Sequence, residues 1–434
     1  MAPDARPWST EEAALALDSS DSLRTRRDLF HIPAGHPSGE VAYLAGNSLG
    51  LQPRAVQADL QVELDDWASL GVEGHVASTH PWVSYHALLR EPAARLVGAL
   101  PEETVVMNTL TVNLHLLMIS FYRPTPERRA ILIEDAAFPS DSYAARSQVA
   151  LHGYDPDKDV IRLAPRPGED ALRSEDVIDF LATEGDNVAL VMLGAVNYYS
   201  GEYLDIEAIT RAGHEAGAVV GWDLAHAVGN VPLKMHEWNV DWAVWCSYKY
   251  LNSGPGAVAG AFVHSRHLAD RSIPKLSGWW STNPDTRFRM EPVIDAVHTA
   301  DAWQLSNPPI LGMAPVLTSL RIFDEVGMDA LREKSIRLTG YLQDLLDEAS
   351  DGRPLEIITP RDPERRGAQL SVRLIGLDAE EVRNTMSQEW GVVTDARQPD
   401  VIRFAPTPLY CTFHDCWRAA RALAAAVDVE LAKG

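Results

Sequence analysis

The feature that most constrains the fold is a pair of apolar runs, each followed by a charged side chain. The first run, residues 218–222, leads directly into Asp223, and the second, residues 242–246, is followed closely by Lys249. Each run has the length and composition of a buried β-strand. We therefore expect an acid and a lysine at the carboxyl ends of two strands, which is where open α/β sheets bind their ligands.

An acid and a lysine in such positions suit one cofactor well. Pyridoxal phosphate (PLP) needs a lysine amine for a covalent imine bond and an acid beside its ring nitrogen. A surface lysine and an acid at a strand end are also common in α/β proteins that bind no cofactor. The spacing alone therefore leaves both interpretations open, and the neighbouring segments have to decide between them.

The size and charge of the chain limit its class. Its 434 residues are too many for one hydrophobic core, so two domains are expected. A formal net charge of −23 argues against nucleic acid or an anionic membrane as a partner. The sequence contains no run long enough for a membrane span, and its N-terminus lacks the apolar core of a signal peptide. Three cysteines without regular spacing favour a reducing cytoplasm.

Three histidines near the start of the chain raise the question of a metal site. His75, His80 and His86 lie close together in the sequence, but their spacing matches no metal-binding motif. Solvated or hydrogen-bonded histidines are the commoner case. We therefore expect no metal.

Strand-like and helical segments alternate between about residues 105 and 265. The strand-like runs are residues 130–134, 188–193, 218–222, 242–246 and 257–263. This alternation predicts a mostly parallel sheet with helices on both faces. An aromatic-rich loop over residues 275–310 follows, and a loop of this length is usually functional or part of an interface. From about residue 315, helices and short strands predict a small α+β domain, which ends in a helix with an apolar stripe.

Two turns at the edge of the predicted sheet carry candidate ligand contacts. Residues 107–113 lead into an apolar helix, and a threonine at a helix start offers a hydroxyl and free N–H groups to a phosphate. The same threonine would also serve as an ordinary N-cap. Phe138 follows the strand 130–134, so its ring would either stack on a planar ligand or fill the core.

Eight segments, in order across nearly the whole chain, carry a resemblance to a known family. They are YLAGNSLGLQP (43–53), MNTLTVNLHLL (107–117), FPSDSYAARSQ (138–148), DLAHAVGNVPL (223–233), WCSYKYLNSGPG (245–256), TRFRMEP (286–292), QLSNPPI (304–310) and IRFAPTPLY (402–410). Together they resemble the kynureninases. The resemblance is to the eukaryotic type, because Gly74-His75 and residues 305–307 stand where that type has its ring-reading residues.

The resemblance implies a fold and a division into domains. The fold is type I of the PLP-dependent transferases, an α/β fold with a mostly parallel seven-stranded sheet between helices and a small α+β domain. Residues 1–60 would be an N-terminal segment that joins the small domain. Residues 61–312 would form the large PLP-binding domain, and residues 313–434 the small C-terminal domain.

The resemblance also implies an activity. It implies a hydrolase of carbon–carbon bonds in ketones, which cleaves the Cβ–Cγ bond of L-kynurenine or L-3-hydroxykynurenine to an anthranilate and L-alanine. The protein would be a cytoplasmic homodimer with shared active sites, acting on a small-molecule substrate. It would serve the kynurenine pathway of tryptophan catabolism, NAD biosynthesis or an antibiotic route.

Roles for individual residues follow from the same resemblance. Lys249 would carry PLP through an imine bond and move protons, and Asp223 would keep the ring nitrogen protonated. Tyr248 would donate to the substrate ketone or else only hold the phosphate. The remaining cofactor contacts would come from Leu110, Thr111, Phe138, Ser140, Asp141, Gly194, His226, Trp279 and Asn307, the last two from the neighbouring subunit. Gly194 stands where some relatives carry a hydroxyl-bearing residue.

The substrate contacts are likewise implied by the resemblance. Arg403 would bind the substrate carboxylate, because its planar guanidinium donates two parallel hydrogen bonds. Ser48, His75, Ser306 and Asn307 would complete the substrate site. Since His75 and Asn307 can hydrogen-bond a ring hydroxyl, they favour the 3-hydroxylated substrate over kynurenine.

Two other interpretations remain at this stage. The Asp223 and Lys249 pair would equally serve another type I enzyme, such as an aminotransferase or a cysteine desulfurase. A desulfurase needs a catalytic cysteine in a mobile loop, and none of the three cysteines lies in an evident one. A PLP-fold protein that only binds or regulates is the second alternative, and the intact lysine, acid and arginine argue against it.

Overall fold

The computed structural model of the chain describes residues 6–23, 26–37 and 39–433, so the first five residues of the predicted N-terminal segment lie outside it. The α-helices are α1 (Glu11–Ser19), α2 (Val56–Leu70), α3 (Gly74–Ala77), α4 (Ala87–Val97), α5 (Leu110–Phe121), α6 (Pro139–Leu151), α7 (Pro156–Asp159), α8 (Ser174–Glu184), α9 (Ile206–Glu215), α10 (Ser265–Leu268), α11 (Ile310–Val326), α12 (Met328–Ser350), α13 (Ala379–Trp390) and α14 (Phe413–Leu431). Within the described ranges, none of these helices combines the length and the apolar character needed to cross a membrane.

The strands and the short 3₁₀ helices complete the secondary structure of the described ranges. The strands are β1 (Ala42–Tyr43), β2 (Thr104–Val106), β3 (Ala130–Glu134), β4 (Val160–Leu163), β5 (Val188–Gly194), β6 (Val219–Asp223), β7 (Trp242–Trp245), β8 (Gly260–Val263), β9 (Leu355–Ile357), β10 (Leu370–Leu374), β11 (Val392–Val393), β12 (Asp395–Arg397) and β13 (Val401–Phe404). The 3₁₀ helices are Pro7–Ser9, Arg27–Leu29, Gly71–Glu73, Pro101–Glu103, Gly185–Asn187, Trp279–Ser281, Arg287–Arg289, Ala300–Trp303 and Pro363–Arg365.

The chain forms two compact units. The smaller unit consists of the described residues up to Arg54, residues 199–203 and the described residues from 326 onwards, and the larger unit consists of residues 55–198 and 204–325. The sequence-based boundaries after residues 60 and 312 differ from these. Residues 56–60 are the first turn of α2 in the larger unit, and the boundary after residue 312 would cut α11 in its first turn.

The larger unit is built on one twisted sheet. In the described part of the chain this sheet has seven strands, in the order β2-β8-β7-β6-β5-β3-β4. Five strands, β7, β6, β5, β3 and β4, are parallel to one another, whereas β8 is antiparallel to both β7 and β2. The predicted α/β class with a mostly parallel sheet is confirmed. Because β3, β5, β6 and β7 are parallel, their carboxyl ends meet at one edge of the sheet.

Two glycines explain how β6, β7 and β8 pack so closely. Gly221 pairs with Trp242, and a side chain at Gly221 would collide with that indole. Gly260 pairs with Trp245, and a side chain there would meet the indole of Trp245 in the same way. Both tryptophans are almost completely buried. These contacts fix the strands that lead into Asp223 and towards Lys249.

The smaller unit holds a separate antiparallel sheet with its own core. In the described residues its order is β12-β13-β10-β9, and β1 and β11 form a second, two-stranded parallel sheet. The helices α12, α13 and α14 bury apolar side chains in one cluster that includes Leu342 and Leu423. The apolar stripe predicted for the last helix consists of Phe413, Trp417, Ala420, Ala424, Val427 and Leu431. Phe413, Ala420 and Val427 are buried, whereas Leu431 is 45% exposed.

Candidate active site

A pocket in the larger unit gathers side chains from strand ends and helix starts. It contains about 540 Å³ of space, part of which opens to solvent. It is lined by Leu110, Thr111, Glu134, Phe138, Ser140, Asp141, Gly194, Val196, Tyr198, Asp223, Ala225, His226, Tyr248 and Lys249. Of the predicted cofactor contacts in the described chain, only Trp279 and Asn307 are absent from this lining.

Three neighbouring parallel strands end at the base of the pocket. Glu134 is the last residue of β3, Gly194 the last of β5 and Asp223 the last of β6. Gly194 pairs with Asp223 across the two strands, and its N–H group donates to Glu134 Oε1 over 3.2 Å. The N–H group of Ala225 donates to Asp223 Oδ1 over 2.7 Å. Backbone groups therefore hold both carboxyl groups in place.

The pocket brings together three buried carboxyl groups. Burial raises the pKa of Glu134 to about 7. Burial, followed by the negative charge of Asp223, raises the pKa of Asp141 well above its usual range. The pKa of Asp223 is raised by burial as well, but the positive charge of Lys249 opposes this rise. Since Asp141 and Asp223 hydrogen-bond to each other, the proton belongs on Asp141 and the negative charge on Asp223.

An amine and an exposed aromatic face lie opposite each other in the pocket. The Nζ atom of Lys249 is 5.9 Å from the centroid of the Phe138 ring. The Phe138 side chain is 44% exposed, and Tyr198 supports it edge-on with the ring centroids 5.2 Å apart. A planar ring that stacked on Phe138 would therefore come within reach of the lysine amine.

Two helix N-termini meet at the same pocket. Thr109 is the N-cap residue of α5 and Phe138 that of α6, and neither side chain accepts a hydrogen bond from its helix. The hydroxyl groups of Thr111 and Ser140, in the first turns of these helices, are 2.8 Å apart. First-turn N–H groups and hydroxyls arranged in this way are suited to bind a phosphate.

The residues of the pocket fit PLP on structural grounds. The amine, the carboxylate and the uncapped helix starts match the aldehyde, the ring nitrogen and the phosphate of that cofactor. In addition, Asp141 Oδ1 is buried and has no hydrogen-bond partner among the described residues, so a polar ligand atom would satisfy it.

The residues beside Lys249 distinguish between possible chemistries. Burial raises the pKa of Tyr248, so its phenol remains protonated and able to donate a hydrogen bond. Burial likewise raises the pKa values of Cys246, Cys411 and Cys416. Because these buried thiols stay protonated, they do not suit the mobile nucleophile of a cysteine desulfurase.

Arg403 and Ser48 belong to the smaller unit. Arg403 lies on β13, is 1% exposed, and has its Nη2 atom 2.8 Å from Asp395 Oδ2 on the neighbouring strand β12. Arg397 binds the other oxygen of Asp395 over 2.6 Å. Ser48 is half-buried in the turn after Ala45, a residue that bridges to the chain just beyond β13. Asp395 thus orients the predicted carboxylate-binding arginine.

The other predicted residues lie outside the pocket. His75 is exposed on α3, and Ser306 and Asn307 are exposed in the loop before α11. Trp279 lines a separate surface pocket formed by residues 277–295, and its indole N–H donates to the carbonyl oxygen of Arg287 over 3.3 Å. The single chain does not bring these four residues to the Lys249 pocket.

The raised pKa of Glu134 predicts a pH-dependent stability. The folded protein holds the Glu134 proton more tightly than the unfolded chain does, because the pKa of this carboxyl group is near 4.5 when the chain is unfolded. The protonated carboxyl group therefore stabilises the fold. This stabilisation is complete below about pH 4.5 and is lost as the pH rises through about 7. Between about pH 5.5 and about pH 8.5 the cofactor-free protein should lose about 2 kcal/mol that Glu134→Gln does not lose. Denaturant unfolding gives the free energy of unfolding of both proteins at both pH values. The prediction is wrong if the two proteins differ in this free energy by the same amount at each pH.

Comparison with known proteins relates this chain to one enzyme family. The family model described as the kynureninase C-terminal domain matches residues 331–423. The chain is 63% identical to the kynureninase of Salinispora tropica, over 96% of this chain and 98% of that protein. It is 52% identical to the kynureninase of Koribacter versatilis, over 94% of this chain and 96% of that protein.

Solved structures share the fold at much lower identity. A cysteine desulfurase from Thermococcus onnurineus has a TM-score of 0.76 and 15% identity, and the match covers 94% of this chain and 99% of that one. A variant of the protein C-DES, with glycine covalently linked to its PLP cofactor, has a TM-score of 0.73 and 16% identity over 88% of this chain and 96% of that one. At such identities the likeness establishes the fold.

Proposed function

The chain belongs to the kynureninase family, and we propose that it cleaves L-3-hydroxykynurenine in preference to L-kynurenine. The reaction is PLP-dependent hydrolysis of the substrate Cβ–Cγ bond, in which a hydroxyl from water joins Cγ and a hydrogen joins Cβ. The products are an anthranilate and L-alanine. The observation that supports the PLP-dependent reaction is the pocket lined by Lys249, Phe138 and the buried Asp223.

The pocket residues have separate roles in holding the cofactor. When bound, PLP supplies an electron-withdrawing ring that accepts the electrons released as bonds at the substrate Cα break. Asp223 would keep a proton on the ring nitrogen. Asp141 supports this role, because its hydrogen bond to Asp223 keeps the negative charge on Asp223. Thr111 and Ser140 bind the phosphate together with the helix starts that carry them.

Two adjacent residues move protons in the proposed mechanism. The Nζ atom of Lys249 removes the proton from the substrate Cα, and later returns protons to the fragment that becomes alanine. The phenol of Tyr248 donates a hydrogen bond to the ketone oxygen, which gains negative charge when water adds to Cγ. The raised pKa of Tyr248 supports this role, because the donor stays protonated at neutral pH.

Substrate recognition depends on residues of the smaller unit and of the exposed loops. Arg403 binds the substrate carboxylate, and its ion pair with Asp395 fixes the plane of its guanidinium beforehand. His75 and Asn307 hydrogen-bond the 3-hydroxyl group of the ring, and Ser48 and Ser306 complete the substrate site. Both side chains are exposed, which supports a role in binding the hydroxyl group of a substrate.

The proposed functional unit is a homodimer that shares its active sites. Trp279 and Asn307 would then act on the neighbouring pocket rather than on the pocket of their own chain. Exposed apolar side chains in the same loop support an interface there, because Phe288, Met290 and Val293 are 64%, 73% and 78% exposed.

We also propose a cytoplasmic location and a role in tryptophan catabolism or NAD biosynthesis. The reaction of the family supports this role, since kynurenines arise from tryptophan. The three buried, unpaired cysteines support a reducing compartment.

A steady-state comparison of the two substrates tests the ring preference. We expect kcat/KM for 3-hydroxykynurenine to exceed that for kynurenine by at least about tenfold, because His75 is left without its partner when the hydroxyl is missing. His75→Ala should bring this ratio close to one, whereas His152→Ala, a change at another exposed histidine, should leave it unchanged. A ratio of one or less in the unaltered enzyme would overturn the proposed preference and leave the reaction itself standing.

A further inference from the structure

A buried acid lies beneath the segment that carries His75. Glu63, on α2, is 1% exposed, and each of its carboxylate oxygens has a partner. His80 Nδ1 is 2.8 Å from Oε1, and the indole N–H of Trp82 donates to Oε2 over 3.0 Å. A buried carboxylate is tolerated only when it is satisfied in this way, so these two side chains have defined positions.

Trp82 in turn holds the turn that bears His75. Its six-membered ring lies so close to Gly74 that any side chain at that position would collide with it. The imidazole of His75 meets the indole edge-on, with the ring centroids 5.5 Å apart and the planes at 85°. The N–H group of Val83 donates to the carbonyl oxygen of His75 over 3.2 Å. Trp82 therefore contacts both the backbone and the side chain of this turn.

We propose that Glu63 is a positioning residue for recognition of the substrate ring, because it holds Trp82 and thereby fixes the imidazole of His75. This inference rests on the proposed role of His75. The helix α3 spans only Gly74–Ala77, and one helical turn does not hold its own shape in water. A displacement of about 1 Å in a substrate-contacting group is enough to reduce recognition substantially.

The loop between α3 and α4 makes a second contact with α2, which makes the inference testable. Asp66, three residues further along α2, accepts a hydrogen bond from the N–H group of Thr79 over 2.7 Å. This contact ties the loop backbone to α2 independently of Glu63. We therefore expect Glu63→Gln to leave the chain folded and to loosen chiefly Trp82 and the histidine that packs on it.

Two variants separate positioning from a general structural role. Glu63→Gln replaces the charged acceptor of the Trp82 indole N–H group with a neutral amide oxygen, which weakens that hydrogen bond. Trp82→Phe keeps a ring over Gly74 but loses the donor. Each should lower the ratio of kcat/KM for 3-hydroxykynurenine to that for kynurenine by roughly three- to tenfold, about the effect of one hydrogen bond. Asp65→Asn, a change at an acid on the same helix, is the matched control and should leave the ratio unchanged.

The same changes in a His75→Ala background complete the test. If Glu63 acts through His75, then Glu63→Gln should not lower the ratio further once the imidazole is absent. An equal loss of activity on both substrates in Glu63→Gln would overturn the inference, since it would indicate a structural role alone. If His75→Ala lowers the ratio but Glu63→Gln and Trp82→Phe do not, only the Glu63 inference fails. If His75→Ala leaves the ratio unchanged, the proposed role of His75 itself fails.

Discussion

Replacing Lys249 with alanine should abolish turnover, with a loss in kcat/KM of at least about 10⁴-fold. The change removes both the amine that attaches the cofactor and the base that moves the substrate protons. The visible absorbance of the lysine-bound cofactor should disappear as well. Absorbance spectra and a sensitive assay for anthranilate formation measure the two effects, and a yellow, active Lys249→Ala enzyme would contradict the assigned role.

Two control variants separate the chemistry from the charge. Lys249→Arg keeps a positive charge beside Asp223 but cannot form the imine bond, so it should be as inactive as the alanine variant. Lys234→Ala removes a lysine whose ion pair with Glu237 lies at the surface, and it should behave like the unaltered enzyme. Substantial activity in Lys249→Arg would mean that charge alone accounts for the effect.

Mixing Lys249→Ala with Asn307→Ala, which loses its contact with the 3-hydroxyl group, tests the shared active sites and the folding of Lys249→Ala together, with turnover of 3-hydroxykynurenine as the measurement. If Asn307 acts on the neighbouring chain, Lys249→Ala combined with Asn307→Ala forms mixed dimers with one intact site each. Random exchange of subunits in a twofold dimer should then restore roughly a quarter of the sites. Recovery would also demonstrate that the Lys249→Ala chain is folded, whereas no recovery from two folded variants would contradict a contribution from the partner.

Replacing Arg403 with lysine should raise KM by roughly 10- to 100-fold, because one charge-assisted hydrogen bond to the substrate carboxylate is lost. Lysine keeps the positive charge next to Asp395 but cannot donate two parallel hydrogen bonds. Alanine is the less informative change, since it would leave Asp395 buried with one partner fewer and destabilise the unit by about 3–5 kcal/mol. Steady-state kinetics with 3-hydroxykynurenine give KM and kcat separately.

Arg397 provides the matched control for Arg403. It binds the other oxygen of the same carboxylate, and its side chain is 34% exposed where that of Arg403 is 1% exposed. Arg397→Lys should therefore disturb Asp395 to a similar extent without raising KM. A normal KM in Arg403→Lys would remove Arg403 from the carboxylate site, and a raised KM in both variants would assign the effect to Asp395.

The sequence predicted the sheet and most of its pocket for a simple physical reason. Buried parallel strands read as continuous apolar runs, and the residues just after them share one edge of the sheet. Asp223 and Phe138 were found from that rule, and Lys249 from its place shortly after the next run. Seven other lining residues follow from the family resemblance: Leu110, Thr111, Ser140, Asp141, Gly194, His226 and Tyr248. Neither route names Glu134, Val196, Tyr198 or Ala225, which also line the pocket.

Three other buried acids, Glu134, Asp395 and Glu63, could not be predicted in this way. Glu134 is the last residue of an apolar run, but its high pKa depends on how deeply the fold buries it beside Asp223. Asp395 becomes the partner of Arg403 only when β12 pairs with β13. Glu63 appears in the sequence as one polar residue of an amphipathic helix, and its burial depends on the indole and the imidazole that fold back over it.

Some elements cannot be predicted from the sequence because they are short or their periodicity is weak. β2 and β4 have three and four residues, and their pattern is too brief to stand out from the surrounding chain. The region 55–100 contains three helices, α2, α3 and α4. Its loop over residues 78–86 forms because Glu63 and Asp66 attract donors from it, a tertiary effect that local propensity does not contain.

The cluster of three carboxyl groups has a consequence for the lifetime of the protein in a cell. At neutral pH, a newly made chain that has not yet bound its cofactor holds these three acids in its interior. Among the described residues that line the pocket, Lys249 is the only lysine or arginine near them. The cofactor favours the folded state in proportion to its concentration, and the chain lacking it opens more often and is degraded sooner. The abundance of the enzyme, and not only its activity, should therefore follow the cofactor supply.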